Sequence, residues 1–212
     1  MAKWDRLSRR PVTCLTAMAS HGVLILECLD ESDPGSEGHF ISHMLSLMRV
    51  PHQYIEVRTK RQLIQLLQSS PYRIVHITTH GTTKKLGRKE NFQGLWTQEG
   101  TLKKADLKGL QGHLKGYTVV CTACLSASPQ FRRGFVEVTE CSHYIAPKGS
   151  PYFYDAVFFA HIFYHKHLIL KRSVRKSFQE YRKRYKNPHG FVLRPLTTRS
   201  KVTRRKLRAS QR

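Results

Sequence analysis

A chain of 212 residues is long enough for one domain with a well-buried core plus a tail, and no apolar run reaches the roughly 18 residues of a membrane span. The balance of 37 Lys+Arg against 14 Asp+Glu, a formal +23, attracts nucleic acid, anionic lipid or acidic protein surfaces whatever the fold. Five cysteines (14, 28, 121, 124 and 141) are odd in number, lack framework spacing and lie largely in apolar runs. That argues against a disulfide scaffold and for a reducing, cytoplasmic setting.

Residues 1–20 read as a basic, weakly ordered leader. Lys3, Arg6, Arg9 and Arg10 precede an apolar stretch ending near Ala19, a loose likeness to a signal peptide that is too short and is broken by Pro11. Residues 21–28 are the first buried strand, ended by the turn cluster 30–35 with its Pro34 and Gly35. Ser36 caps a helix with apolar residues Phe40, Ile41, Met44, Leu45, Leu47 and Met48 at three- and four-residue spacing, limited by Pro51. Residues 54–57 form a second strand. Thr59 caps a helix carrying Leu63, Ile64, Leu66 and Leu67, and Pro71 stops it. Residues 72–80 are the third strand. The β-α-β-α-β order requires a parallel sheet with crossover helices.

Residues 81–100 are polar and lysine-rich, with Phe92, Leu95 and Trp96 as anchors, and read as a flap or hairpin. Leu102, Leu107, Leu110 and Leu114 suggest a helical return before a strand over 117–124. A loop at 126–129, a helix opening at Phe131–Phe135, a short strand at 143–146 and a turn at 147–151 follow. The aromatic-rich stretch 152–170 reads as one long helix and 173–185 as another, the latter with Arg and Lys on most exposed positions. The domain is placed at 21–187 and a basic, disordered tail at 188–212.

Two of these strands end in reactive residues. A continuous Val/Ile/Leu run marks a strand covered on both faces, and ligands of open α/β sheets sit at the carboxyl ends of such strands. The run 72–81 ends in His80-Gly81 and the run 117–126 contains Cys124. An imidazole within reach favours thiolate, the nucleophilic form of cysteine. Gly81 lets a backbone N–H approach an oxyanion unobstructed, and the N–H of Cys124 is the natural second donor. The plainer alternative is that Cys124 is a small buried hydrophobe and His80 a loop histidine.

The motifs Ile77-Thr-Thr-His80-Gly81 and Val119-Val-Cys-Thr-Ala-Cys124, about 44 residues from His to Cys, resemble those of caspase-like cysteine peptidases, in particular the CHAT-domain type. The similarity continues through residues 144–150 and 154–159 and spans roughly 20–185. At one place the chain departs: Leu125-Ser126-Ala127 stands where relatives often carry Ser-Gly or Arg-Gly. The resemblance implies a three-layer α/β sandwich with helices on both faces, a His80/Cys124 dyad hydrolysing peptide bonds, and no cofactor. It also implies a regulated protease switched on by a protein partner in bacterial defence or cell-death signalling. In that family the residues before the last helix line the pocket for the side chain preceding the cleaved bond. Asp155 stands there, and a carboxylate in that place selects Lys or Arg; the alternative is that Asp155 serves the first turn of its helix.

Other motifs point less far. Cys121-Thr-Ala-Cys124 is formally a C-x-x-C, but the only supplement for a zinc site is Cys141-Ser-His143, and on a strand the two thiols face opposite ways. His161, His165 and His167 lack a convergent Cys or carboxylate and read as polar-face residues, so no metal site is assigned. Arg172–Lys186 and the tail (Arg199, Lys201, Arg204, Arg205, Lys206, Arg208) could hold nucleic-acid phosphates non-specifically. A catalytically inactive caspase-like module that binds nucleic acid or an acidic partner is therefore the alternative to an enzyme.

Overall fold

The structure, a computed structural model, describes residues 21–195 apart from Leu29, Glu31, Pro34, Arg88 and Pro188. The leader 1–20 and residues 196–212 of the basic tail lie outside the described residues.

Strands β1 (Val23–Glu27), β3 (Ile74–Thr78) and β7 (Thr118–Cys121) are buried along their whole length, as their aliphatic runs require of a sheet covered on both faces. With β2 (His52–Glu56), β8 (His143–Ala146) and β9 (Val192–Pro195) they form one six-stranded sheet in the order β2-β1-β3-β7-β8-β9. All its pairings are parallel except β8 with β9.

Alternate residues of the strands face opposite layers. Leu24, Leu26, Val75, Ile77 and Val119 pack against helix α2 (Lys60–Gln68) and helix α3 (Pro129–Thr139) through Leu63, Leu67, Phe131 and Phe135. Val23, Ile25, Ile74, Val120 and Ile145 face α1 (Glu37–Leu47), α4 (Phe153–Tyr164) and α5 (Val174–Tyr185) through Ile41, Leu45, Phe159, Phe163, Phe178 and Tyr181. The result is the three-layer α/β sandwich expected from the sequence. The caps are those the sequence indicates: the Ser36 hydroxyl accepts from the His39 N–H at 2.9 Å and Thr59 from the Gln62 N–H at 3.0 Å.

The flap is a separate antiparallel sheet of β4 (Gly81–Leu86), β5 (Lys89–Thr97) and β6 (Gly100–Lys103). The expected helical return is thus a strand followed by a 3₁₀ turn over Lys104–Leu110. Leu102 pairs with Leu95 across the flap, and glycines at 112 and 116 with φ of 72° and 85° break any longer helix. The four leucines are nonetheless buried in the core.

Three other boundaries differ. The long helix 152–170 is α-helical to Tyr164 and then takes a π turn over His165–Ile169. The third and fourth strands end at Thr78 and Cys121, before His80 and Cys124. The domain does not stop at 187, because β9 adds an edge strand and Phe191 beside it is 1% exposed, stacked on Phe159 at 4.3 Å between ring centroids. A four-residue strand ending in proline carries too little pattern to stand out from a basic tail; long-range pairing with β8 creates it. Among the described residues no helix is long and apolar enough to cross a membrane.

Candidate active site

The loops leaving β1, β3, β7 and β8 all emerge at the carboxyl edge of the sheet, where strand order alone brings sequence-distant residues together. Cys124 lies on the turn just past β7. Four hydrogen bonds fix this turn: the N–H groups of Ser126 and Ser128 donate to the Ala123 and Leu125 carbonyls, and those of Leu125 and Ala127 donate to the Gly149 and Pro147 carbonyls. Leu125, immediately after the cysteine, has φ of 59°. A bulky residue in the left-handed region costs roughly 1–2 kcal/mol, and strain of this kind is retained where surrounding contacts over-determine it.

The cysteines separate by environment. Cys28, Cys121 and Cys141 are buried; burial pushes the Cys28 and Cys141 thiols up to about 12 and that of Cys121 up as well. These three are held as inert thiols. Cys124 is only partly buried, and it is the described cysteine with solvent access.

His80 stands two residues beyond β3. Its carbonyl accepts from the Trp96 N–H at 2.9 Å, and the neighbouring Thr79 hydroxyl donates to the Trp96 carbonyl at 2.7 Å, so the flap strand β5 clamps its backbone. The ring lies near Trp96 and Phe153, with centroids 6.0 and 6.1 Å away. Its Nε2 is 2.7 Å from Oδ1 of Asp33.

Asp33 is the residue of this candidate site that sequence reading missed. It lies in the 30–35 segment, read there only as a turn. Its side chain is 8% exposed, and its Oδ2 accepts the Asp30 N–H at 2.7 Å. The loop itself is anchored by Glu27 at the end of β1. That buried carboxylate accepts from the Gly38 N–H at 2.6 Å, the Tyr54 hydroxyl at 2.7 Å and the Ser36 hydroxyl. The available signal was topological: β1 neighbours β3, so the loop after β1 must open beside the residues after β3.

Gly81 joins the two motifs. A Cβ built there would overlap the Cys124 carbonyl oxygen and lie 3.1 Å from the Phe92 ring. The segment carrying His80 therefore packs directly on the backbone of Cys124, which only glycine allows. Gly81→Ala is expected to cost about 1–3 kcal/mol of stability, the usual penalty of forcing an extra carbon into a packed site. Denaturant unfolding checks this; a variant with wild-type stability would show that the contact is dispensable.

Asp155 sits in the first turn of α4. Its Oδ2 is 2.7 Å from Nε2 of His189 and accepts the Tyr152 N–H at 3.3 Å. Its carboxylate thus serves the helix start and ties down the segment that leads into β9. His161 lies on the surface, and His167 donates from Nδ1 to the Arg172 carbonyl at 2.7 Å. Among the described residues no group of three or more His, Cys, Asp or Glu is placed to hold a metal ion.

No protein-family model matches the chain, and no curated protein matches its sequence. Among solved structures it is similar to a secreted C11 cysteine protease from Bacteroides thetaiotaomicron called iotapain. The TM-score is 0.50 at 14% identity, over 84% of this chain and 67% of that one. The chain shares a caspase-like three-layer α/β fold with that protease.

Proposed function

We propose that the protein is a caspase-like cysteine endopeptidase of the CHAT-domain type, with Cys124 as nucleophile, His80 as acid and base, and Asp33 as the residue that positions His80. One observation carries this reading: Gly81 seats the His80 segment on the backbone of the partly buried Cys124 while Asp33 holds the His80 ring.

A carboxylate only accepts, so His80 carries its proton on Nε2 and offers the lone pair of Nδ1 to the thiol. The thiol proton passes to Nδ1 and the thiolate adds to the peptide carbonyl carbon. The N–H groups of Gly81 and Cys124 are proposed to hold the oxyanion. Collapse breaks the C–N bond, and the leaving amine takes the proton from His80. Water then attacks the thioester, giving up a proton to His80, and the acid is released with the thiol restored. This chemistry needs no metal or organic cofactor, and its substrate is a protein or peptide. An activating protein partner belongs to the same proposal.

Fluorogenic peptides varied around the cleaved bond test it, with wild type beside Cys124→Ala. Cleavage abolished in the variant supports the reading, and cleavage that survives it sinks it. Two further readings are scored in the same experiments. Asp155 stands two residues from Phe153, which touches His80, and a Lys/Arg preference lost in Asp155→Asn would assign it the pocket. Exposed Arg182, Lys183 and Arg184 at the end of α5 favour a charge-driven module instead; tight, salt-sensitive nucleic-acid binding with no Cys124-dependent cleavage would establish that.

A further inference from the structure

Aromatic side chains normally end up buried, and an exposed cluster of them around one concavity marks a binding surface. Phe40, Tyr152, Tyr154 and Phe158 are 54%, 66%, 69% and 48% exposed, and with Phe153 and Val157 they line a groove of about 620 Å³ between α1 and the start of α4. Among the described residues no lysine or arginine lines it, in a chain with 37 of them. Glu37, the carboxylate at its edge, is 3.2 Å from His76 and buried. The Ser36 hydroxyl is engaged by Glu27 and by the His39 N–H. What remains accessible is apolar apart from the tyrosine hydroxyls and the His161 imidazole at the rim.

The groove adjoins the candidate site. Phe153 forms part of its wall and also lies against the His80 ring, and Gly35 and Ser36 of the wall directly follow the loop that carries Asp33. Asp155 is absent from the lining and is held by His189 and the Tyr152 N–H. We infer that this groove is the specificity subsite of the peptidase and takes a large apolar side chain, aromatic or branched aliphatic, of the peptide substrate within a few residues of the cleaved bond. This rests on the peptidase reading for its occupant, since a mainly apolar groove without lysine or arginine selects an apolar ligand and its position beside His80 makes that ligand the substrate.

The test scans peptides in which one position at a time, within three residues of the cleaved bond, is Phe, Leu, Ala, Lys or Asp. One position should prefer Phe or Leu over Ala by roughly ten- to hundredfold in kcat/KM, the usual worth of filling an apolar pocket. The exposed-residue substitutions Phe40→Gln and Tyr154→Gln should reduce that preference about tenfold. Cys124-dependent cleavage with no apolar preference, or with a Lys/Arg preference abolished by Asp155→Asn, overturns the inference and leaves the peptidase reading standing. Cleavage that persists in Cys124→Ala overturns the peptidase reading instead. Where no peptide is cut, calorimetric titration of Cys124→Ala with the Phe and Ala peptides decides: tighter binding of the Phe peptide, weakened by Phe40→Gln, supports the subsite, and equal binding refutes it. A groove that serves a second copy of the chain would show as a dimer by sedimentation that dissociates in both Gln variants, which also refutes it.

Discussion

His80→Ala should lower peptidase turnover by roughly a hundred- to ten-thousandfold, the span of a removed general acid and base. Asp33→Asn should give a loss of the same order, about 10²–10⁴, although Asp33 touches neither thiol nor substrate. The reason is the tautomer. In the wild type Oδ2 of Asp33 accepts the Asp30 N–H and Oδ1 accepts the His80 Nε2–H. An asparagine keeps its one carbonyl on the Asp30 N–H and turns its NH₂ toward His80. The imidazole must then accept at Nε2, its proton moves to Nδ1, and no lone pair is left for the thiol. The variant also lacks the negative charge that balances the imidazolium formed when His80 takes a proton. Loop geometry is preserved, so thermal stability should be near that of the wild type. The decisive readout is alkylation of Cys124 by iodoacetamide across pH, which a purely structural aspartate would not affect. Alkylation in Asp33→Asn should be slowed, because the reacting thiolate forms by proton transfer to His80. Wild-type turnover together with a wild-type alkylation profile would reduce Asp33 to a residue that shapes its loop.

The other large effect is on stability. His76 points from β3 into the layer beneath α1 and α4, where its Nε2 is 3.2 Å from Glu37 and its Nδ1 is 2.8 Å from the Tyr164 hydroxyl. The side chains of His76 and Glu37 are 0% and 3% exposed. With the proton on Nε2, the imidazole donates to the carboxylate and accepts from the phenol, so all three groups are satisfied. The Tyr164 phenol is pushed well up, first by burial and then by the Glu37 charge, and so remains a donor. His76→Leu leaves the carboxylate buried without its partner and should cost about 3–5 kcal/mol in urea unfolding. The double variant His76→Leu/Glu37→Leu should recover much of this, because apolar replacement of a whole buried polar pair is often neutral. A single variant that loses under about 1 kcal/mol would show that water or rearrangement rescues the carboxylate. Glu37 also opens α1 directly after the loop holding Asp33, so loosening this network should reach the site as well as the core.

The sequence by itself determined the parts that depend on local pattern. The aliphatic runs of β1, β3 and β7 could only be strands covered on both faces, and the caps Ser36 and Thr59 followed from hydroxyls placed before amphipathic turns. With helices alternating between those strands, a parallel sheet with two helical layers was required, and His80, Gly81 and Cys124 could be picked out as residues at its carboxyl edge. The tertiary structure decided whatever arises between segments remote in sequence. β9 exists because it pairs with β8, the flap gains a third strand because Leu102 meets Leu95, and Gly81 matters because the Cys124 carbonyl lies against it. Asp33 next to His80, Asp155 on His189, the Glu37–His76–Tyr164 network and the aromatic groove are of the same kind. Periodicity reports which face of an element is buried; which charge meets which partner is fixed only when loops 40 or more residues apart, such as those of Asp33 and His80, are brought to one edge of the sheet.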